Sequence, residues 1–420
     1  MRQTVDQIVM STSPKLDARY PALLLRASSF ADHHGALAVA RTLGTCGVSV
    51  YAALDDRFTP LTASRHLARL FRWERWPRDS NEFVAATLRI GELIGRPTVI
   101  IPMDDLSAVL VAENTMHLRG AFLVPSVAPQ LPRLLSNKAS LHALCIEHGV
   151  PTVAGVTPHT IDDVRDFADR STFPVMIKAA EQWLLVRSQI NAKRISTRAE
   201  LLALFDGVDP TQFPRTLLQE YVPGADWICH GYFNAEKNLG LTFTGRKLRG
   251  YPAGAGSTAV GLADSNDALA HEAERFLRGV GYSGIVDMDW RWDERDGNYR
   301  LVDCNPRIGQ NFRMFETCAG IDVVRAQHLD LTGQLIPRAP MIEGRVFTVE
   351  SYSLLGALRR IGRRSRASVV PLPHAASRER AWWSLRDPLP FMVMAMRLPA
   401  NVLSASWRRL AARVRRVSVG

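Results

Sequence analysis

The stretch DMDWRWDERDGNYRLVDCNPRIGQN, residues 287–311, places acids, an amide and an arginine at alternate positions on either side of a turn. Asp287 and Asp289 are two apart, as are Asp303, Asn305 and Arg307. Strand side chains alternate between faces, so each set points one way. Between them DERDG reads as a hairpin connection. Folded back, the two strands gather acids, one amide and one guanidinium on a single surface. Alternating acids also suit the solvent face of an edge hairpin, so the surrounding sequence must decide what the surface is for.

The chain has 420 residues, 46% of them apolar and 22% charged, which is ordinary for a soluble globular protein and enough for two or three domains. Its net charge of +11 is unevenly placed. Residues 341–420 hold 15 Arg, no Lys and 4 acids, whereas the first 340 hold 37 basic and 37 acidic side chains. The basic character belongs to the tail, and its plain reading is a solvated arginine-rich surface. Five cysteines without a CxxC pair suit a reduced compartment. No early apolar segment with a small-residue cleavage site reads as a signal peptide, and no apolar run reaches 18 residues. These features place the chain in the cytoplasm.

Residues 1–20 read as a loose leader. PALLLRAS, VSVYAAL and TVIIPMDD read as buried strands, with HHGALAVARTLGTCG and LSAVLVAENTMHL as helices between and after them. Alternating strand and helix argue for a Rossmann-like parallel sheet over 21–132. The first strand is not followed by GxGxxG, so a dinucleotide site is unsupported. From the helix NKASLHALCIEHG onward the character becomes α+β: PVMIKAA, RTLLQEYVPGAD and the 285–305 hairpin are short strands with turns between helices. They predict a separate module over 133–340, followed by a basic extension over 341–420.

Oxygen ligands such as Asp289, Asp303 and Asn305 suit Mg²⁺, which usually takes one or two carboxylates plus substrate phosphates. Arg307, on the same face, can neutralise a phosphoryl group in transfer. Lys178 ends the apolar strand PVMIK, where a long cation can leave the core for a phosphate. Lys138 opens a helix in SNKAS, another favourable place for phosphate. LLQEYVPGAD then offers Gln219 and Glu220, a turn and Asp226, and TGRKLRGYPAGAGS brings Arg246, Lys247 and Arg249 before glycines.

In this order the motifs MIK, LLQEYVPGAD, TGRKLRGYP and VDCNPR resemble the ATP-grasp superfamily, specifically its carboxylate–amine ligases, over roughly residues 20–335. The resemblance implies an N-terminal Rossmann-like pre-ATP-grasp domain and an ATP-grasp module of two α+β subdomains that clamp ATP. It assigns Lys138 and Lys178 to the ATP phosphates, Gln219 to the adenine edge, Val222 to a backbone contact and Asp226 to the ribose, with Glu220 also counted in the ATP site. Lys247 and Arg249 fall in the basic motif beside the nucleotide. Asp289, Asp303 and Asn305 match the Mg²⁺ ligands, with Asp287 the alternative to Asp289 and Mn²⁺ an alternative ion. Arg307 and Lys178 match the catalytic cations. One departure is plain: the segment AAEQWLLVRSQINAKRIS after Lys178 has no glycine where the family has a glycine-rich loop, leaving Arg187 and Lys193 as substitutes.

The implied reaction joins a small-molecule carboxylate to an amine through an acyl phosphate, with D-aspartate-ligase-like activity one version of it. A carboxylase or carbamoyl-phosphate-type enzyme is the alternative enzyme, lowered by the lack of a second ATP-grasp copy or a biotin-carrier segment. A non-catalytic, nucleotide-regulated binding protein is the alternative outside catalysis. No RNA-binding motif accompanies the arginines, so no nucleic-acid partner is expected. In the tail, Leu403, Trp407, Leu410 and Val414 form one apolar stripe if helical, among five arginines. Such a helix either docks on the body or lies on the anionic inner surface of a membrane.

Overall fold

The computed structural model describes residues 15–27, 33–56, 58–73, 79–180, 192–251, 256–353, 355 and 375–398. The apolar runs of the first 125 residues pair in parallel. They are β1 (Ala22–Leu25), β2 (Val50–Leu54), β3 (Leu67–Arg72), β4 (Thr98–Pro102) and β5 (Phe122–Leu123), in the order β3-β2-β1-β4-β5. Every residue of β1 is buried, as a strand covered on both faces requires. Its side chains alternate: Leu24 joins a core with α1 (His34–Gly44), while Leu23 and Leu25 join Phe83 of α2 (Ser80–Ile94). The acids that end TVIIPMDD start the next helix. Asp104 caps α3 (Asp105–Glu113) by accepting a hydrogen bond from the Ser107 amide at 2.7 Å. A short α4 (Thr115–Leu118) follows.

After α5 (Leu131–Ser136) and α6 (Lys138–Glu147) comes a four-stranded antiparallel sheet. It contains β6 (Gly155–Val156), β7 (Val175–Ala179), β8 (Ala192–Ile195) and β9 (Thr216–Glu220), in the order β6-β9-β7-β8. One face packs on α7 (Ile161–Arg170) and α8 (Arg198–Phe205) through Val175, Ile177 and Leu218. The alternate residues Met176, Lys178 and Gln219 therefore face the other way.

The third sheet has seven strands, β14-β13-β10-β11-β12-β15-β16. They are β10 (Asp226–Asn234), β11 (Leu239–Tyr251), β12 (Ser257–Ala263), β13 (Gly284–Asp293), β14 (Asn298–Asn305), β15 (Arg345–Thr348) and β16 (Ser377–Arg380). All neighbours are antiparallel except β15 and β16. α9 (Asp267–Gly279) covers one face over a core containing Met288 and Trp290. α10 (Val323–Leu331) and α1 share a core with the other face through Tyr232, Ile285 and Phe347. Two strands of this sheet come from the stretch read as the basic extension. That stretch is also tied to the N-terminal sheet, because the Arg41 guanidinium donates to the Asp387 carboxylate (3.0 Å) and to the carbonyls of Trp382 and Asp387 (2.9 and 2.8 Å).

No helix among the described residues is long and apolar enough to cross a membrane. Arg187 and most of the glycine-free segment, the arginine cluster at 359–366 and the amphipathic stripe at 403–414 lie outside the described residues.

Candidate functional site

The hairpin forms as its alternation predicts. Asp287 pairs across the strands with Asn305, and Asp289 with Asp303. The intervening Met288 and Trp290 point into the core under α9, so all four polar side chains share the opposite face. That face lines a cavity of about 310 Å³, whose other wall carries Met176, Lys178 and Gln219 of the four-stranded sheet.

Three lysines converge on the carboxylates. Lys138, the first residue of α6, donates from Nζ to Asp303 at 2.9 Å, and Lys247 donates to Asp289 at 3.2 Å. Asn137 caps α6 with its side chain, so Lys138 is held at a helix N-terminus that itself favours anions. Lys178 is buried beside them. Burial and the neighbouring Lys138 charge lower its pKa to about 8, against the pull of Asp303 and Asp289. Burial raises the Asp303 carboxyl, but Lys138 and Lys178 outweigh it and hold the group below its usual range. Asp289 goes the other way: burial pushes it up, Lys247 opposes, and the charges of Asp287 and Asp303 add to the rise. The excess of cations over the Asp303 end, in a buried cleft, is what a polyphosphate would balance.

At one end of the cavity the chain crosses between the two sheets through Tyr221–Ala225. Gly224 has φ +120°, and a Cβ there would lie 2.1 Å from the Trp292 carbonyl oxygen, so only glycine fits this crossing. Gln219 is 4% exposed and its Oε1 is buried without a hydrogen-bond partner among the described residues. It is an acceptor that a bound amino group would satisfy. Val222 and Asp226 also line the cavity, and Arg291 ties them together. Its guanidinium donates to the Val222 carbonyl, the Asp226 carboxylate and the Tyr221 hydroxyl. Glu220 faces the same space and pairs with Arg295.

Beyond the lysines lies Arg307, held between Asp287 (2.7 Å) and Asp105 of α3 (3.2 Å). Burial works against the guanidinium charge, yet the Asp105 and Asp287 carboxylates raise its pKa above the usual arginine value. Asp287 is also 2.9 Å from His230 Nε2. Burial raises this carboxyl, but His230 and Arg307 overcome it and depress its pKa. Asp287 is thus occupied in positioning Arg307, which leaves Asp289 facing Asp303.

Of the sequence candidates, Lys138, Lys178, Gln219, Glu220, Val222, Asp226, Lys247, Asp287, Asp289, Asp303, Asn305 and Arg307 all line this one cavity. Arg249 does not. In a regular strand it would share a face with Lys247, but β11 shifts register against β12 between these two residues and again after Arg249. Lys193 pairs with Glu200 at 2.8 Å and is not among the lining residues. Sequence reasoning missed Arg291, His230 and Asp105. Arg291 had a signal, since it continues the alternation of Asp287 and Asp289. The other two meet the site only through tertiary contacts.

The donor set fits a hard divalent cation. It consists of oxygens only, and the Asn305 amide nitrogen donates to the Asp287 carbonyl (3.2 Å), which leaves its own carbonyl oxygen as the ligand atom. Among the described residues no three His, Cys, Asp or Glu side chains form a metal cluster by themselves. Two carboxylates completed by phosphate oxygens are the pattern for Mg²⁺.

The chain is similar in fold to the N5-carboxyaminoimidazole synthetase of Staphylococcus aureus complexed with ADP, with TM-score 0.58, 11% identity and coverage of 80% of this chain and 82% of that one. It is similar also to the L-amino acid ligase of Bacillus licheniformis, with TM-score 0.56, 13% identity and 74% of each chain covered. The shared architecture is the ATP-grasp fold. In sequence the chain is 23% identical over 240 residues to the D-aspartate ligase of Enterococcus faecium, covering 54% of this chain and 57% of that protein. It thus resembles ATP-grasp carboxylate–amine ligases while spanning little more than half the length of that relative. No family model matches the chain.

Proposed function

We propose that this chain is a cytoplasmic ATP-dependent carboxylate–amine ligase that forms an amide bond through an acyl phosphate and releases ADP and phosphate. The observation that supports it best is the facing pair Asp289 and Asp303 beneath Lys138, Lys178 and Lys247, with an unpartnered Gln219 acceptor at one end and Arg307 at the other. In this reading residues 21–132 precede a nucleotide-binding module of 133–340, whose two sheets clamp ATP. Gln219 accepts from the adenine amino group, Val222 borders the base and Asp226 takes the ribose hydroxyls. Lys138 and Lys178 hold the phosphates, and Lys247 steadies Asp289. Mg²⁺, held by Asp289, Asp303 and the Asn305 carbonyl oxygen, would neutralise charge on the phosphates.

A carboxylate is a poor acylating group because its leaving group would be oxide. Attack of its oxygen on the γ-phosphorus breaks the bond to ADP and yields an acyl phosphate. The amine then adds at the carbonyl carbon, phosphate leaves with the bonding electrons, and the nitrogen loses a proton. Arg307, fixed by Asp105 and Asp287, faces the transferring phosphoryl group. A closed clamp excludes water that would hydrolyse the intermediate.

D-aspartate, the acid in the relative's name, is the first substrate to test. The assay is ADP release with MgATP across a set of D- and L-amino acids and amines. Binding of MgATP without acid-dependent turnover for any pair would replace this reading with a nucleotide-regulated binding protein. A contact of the C-terminus with anionic lipid is the finer part of the proposal. It is supported by exposed Leu389, Met392 and Met396 on the helical segment 389–398, which leads into the arginine-rich residues 399–420. Sedimentation with anionic and neutral liposomes, with and without 400–420, tests it, and equal recovery in the supernatant in all four conditions removes it.

A further inference from the structure

Past Arg307 the cavity continues to a place that the nucleotide does not need. His34, the first residue of α1, lines it and is 2% exposed, yet neither ring nitrogen has a hydrogen-bond partner among the described residues. Gln310 lines it too, and its Oε1 is buried without a partner among the described residues. Asn311 and Thr258 complete this end, the Asn311 side-chain amide donating a hydrogen bond to the Thr258 hydroxyl at 3.3 Å. The junction is close. A Cβ on Gly35 would lie 3.0 Å from the Gln310 Cα, so a glycine in the first turn of α1 is what admits the 309–311 loop. α1 and α3 follow the adjacent parallel strands β1 and β4, the point in such a sheet where a crevice opens.

The chemistry of this end differs from the rest of the cavity. Burial holds His34 at a pKa of about 3, so its imidazole is neutral and one ring nitrogen is an acceptor. Its ring packs among Phe347, Tyr352 and Trp382, with centroids 6.0, 6.1 and 5.6 Å away. All three come from residues 341–398, the stretch that Arg41 pins to α1 through Trp382 and Asp387. Arg307 is already engaged by Asp105 and Asp287, and Asp287 by Arg307 and His230. Among the described residues that line this end, the other side chains are uncharged, so an ammonium group here would be buried without a carboxylate of its own and a second carboxylate would lack a cation.

We propose that His34 and Gln310 form the acceptor subsite, which takes the attacking amine in its uncharged form on a neutral, amide-bearing scaffold, with the C-terminal stretch as its aromatic wall. The inference rests on the ligase reading and names the class of its second substrate. The neutral amine is the form with a lone pair to attack the acyl phosphate. Its N–H groups donate to the His34 nitrogen and the Gln310 oxygen, the two acceptors without partners among the described residues. The reaction otherwise follows the balance given above.

The test uses the full-length protein with MgATP, the acid that gives ADP release in the screen, and three nucleophiles: hydroxylamine, glycinamide and glycine. The expected result is a kcat/KM for glycinamide at least about tenfold above that for glycine. His34→Leu and Gln310→Ala each raise the KM for glycinamide about tenfold, the size of one good hydrogen bond, while the KM for ATP and calorimetric MgATP affinity stay within about twofold. Gln310→Ala, on a loop, keeps the test available if His34→Leu does not fold. Glycine used as well as glycinamide overturns the inference. So do unchanged amine KM values in a folded variant, and so does a parallel loss of MgATP affinity. Absence of acid-dependent ADP release from the wild type with hydroxylamine present refutes the ligase reading itself, and the acceptor subsite falls with it.

Discussion

Replacing Asp303 with alanine removes the carboxylate that Lys138 grips at 2.9 Å and that faces Asp289 across the hairpin. Two effects follow, and their sizes separate them. Loss of one well-placed electrostatic group in a transition state is often worth about 3 kcal/mol, so turnover at saturating MgATP should fall on the order of a hundredfold or more. The Lys138 side chain is 5% exposed and that of Asp303 15%, so the variant also leaves a buried cation without its partner. Such breakage costs roughly 3–5 kcal/mol, a large share of a typical stability of about 5–15 kcal/mol, so the fold survives with a lowered Tm. Lys178 gives a third reading. Its pKa stands at about 8 and Asp303 is one of the charges that hold it up, so removing Asp303 lowers it further. A phosphate-binding lysine must be protonated, so activity is lost as pH rises through its pKa. The alkaline limb of kcat/KM for ATP should therefore lie near pH 8 in the wild type and at lower pH in Asp303→Ala. ADP release within a few-fold of wild type, with the alkaline limb unmoved, would refute the reasoning.

Asp226→Ala should raise the KM for ATP by about tenfold with kcat little changed, because a ribose contact is made equally before and during phosphoryl transfer; a fall in kcat at unchanged KM would contradict it. Arg291→Met removes the donor shared by Tyr221, Val222 and Asp226. Its MgATP affinity should fall by an amount not additive with that of Asp226→Ala, and additivity in a double-mutant cycle would show the two to be independent. Asp387 accepts from Ser64 at 2.7 Å, from the Arg65 amide at 3.1 Å and from Arg41; burial raises its pKa, but these donors lower it below the ordinary 3.8. A depressed carboxyl pKa stabilises the fold above the unfolded value and loses that contribution as pH falls through the folded value. Asp387→Asn should then have a lower Tm than wild type at pH 7, with the gap closing below about pH 4, and an equal gap at pH 3 would be inconsistent with it.

Much of the site was legible because its spacing is local. Asp287, Asp289, Asp303 and Asn305 fall on one face by strand alternation alone, and the hairpin turn then brings the two strands into register. Lys178 and Gln219 were legible for the same reason, since Ile177 and Leu218 beside them are plainly core residues. Arg249 shows where the rule stops: β11 is irregular in its pairing after Lys247, and alternation counted from the sequence carries no notice of a bulge. The central strands β10 to β12, and the return of β15 and β16 to the same sheet, were not legible either. β10 to β12 are consecutive hairpins, but the pairings that seat them, β10 with β13 and β12 with β15, join residues far apart in the chain, and no local periodicity encodes which strands will be neighbours.

By itself the sequence determined the local elements, the faces that carry acids and lysines, and their order along the chain, because these depend on dihedral periodicity and on side-chain chemistry. Tertiary structure alone decided the partners. It set Asp105 and Asp287 on either side of Arg307, placed His230 against Asp287, and gave Lys138 and Lys247 to different carboxylates. It also carried Phe347, Tyr352 and Trp382 from the basic C-terminal stretch to the ring of His34. Charge and burial in such a cleft are properties of distance in space, and residues 34 and 382 come within one ring contact only after the N-terminal and seven-stranded sheets have packed.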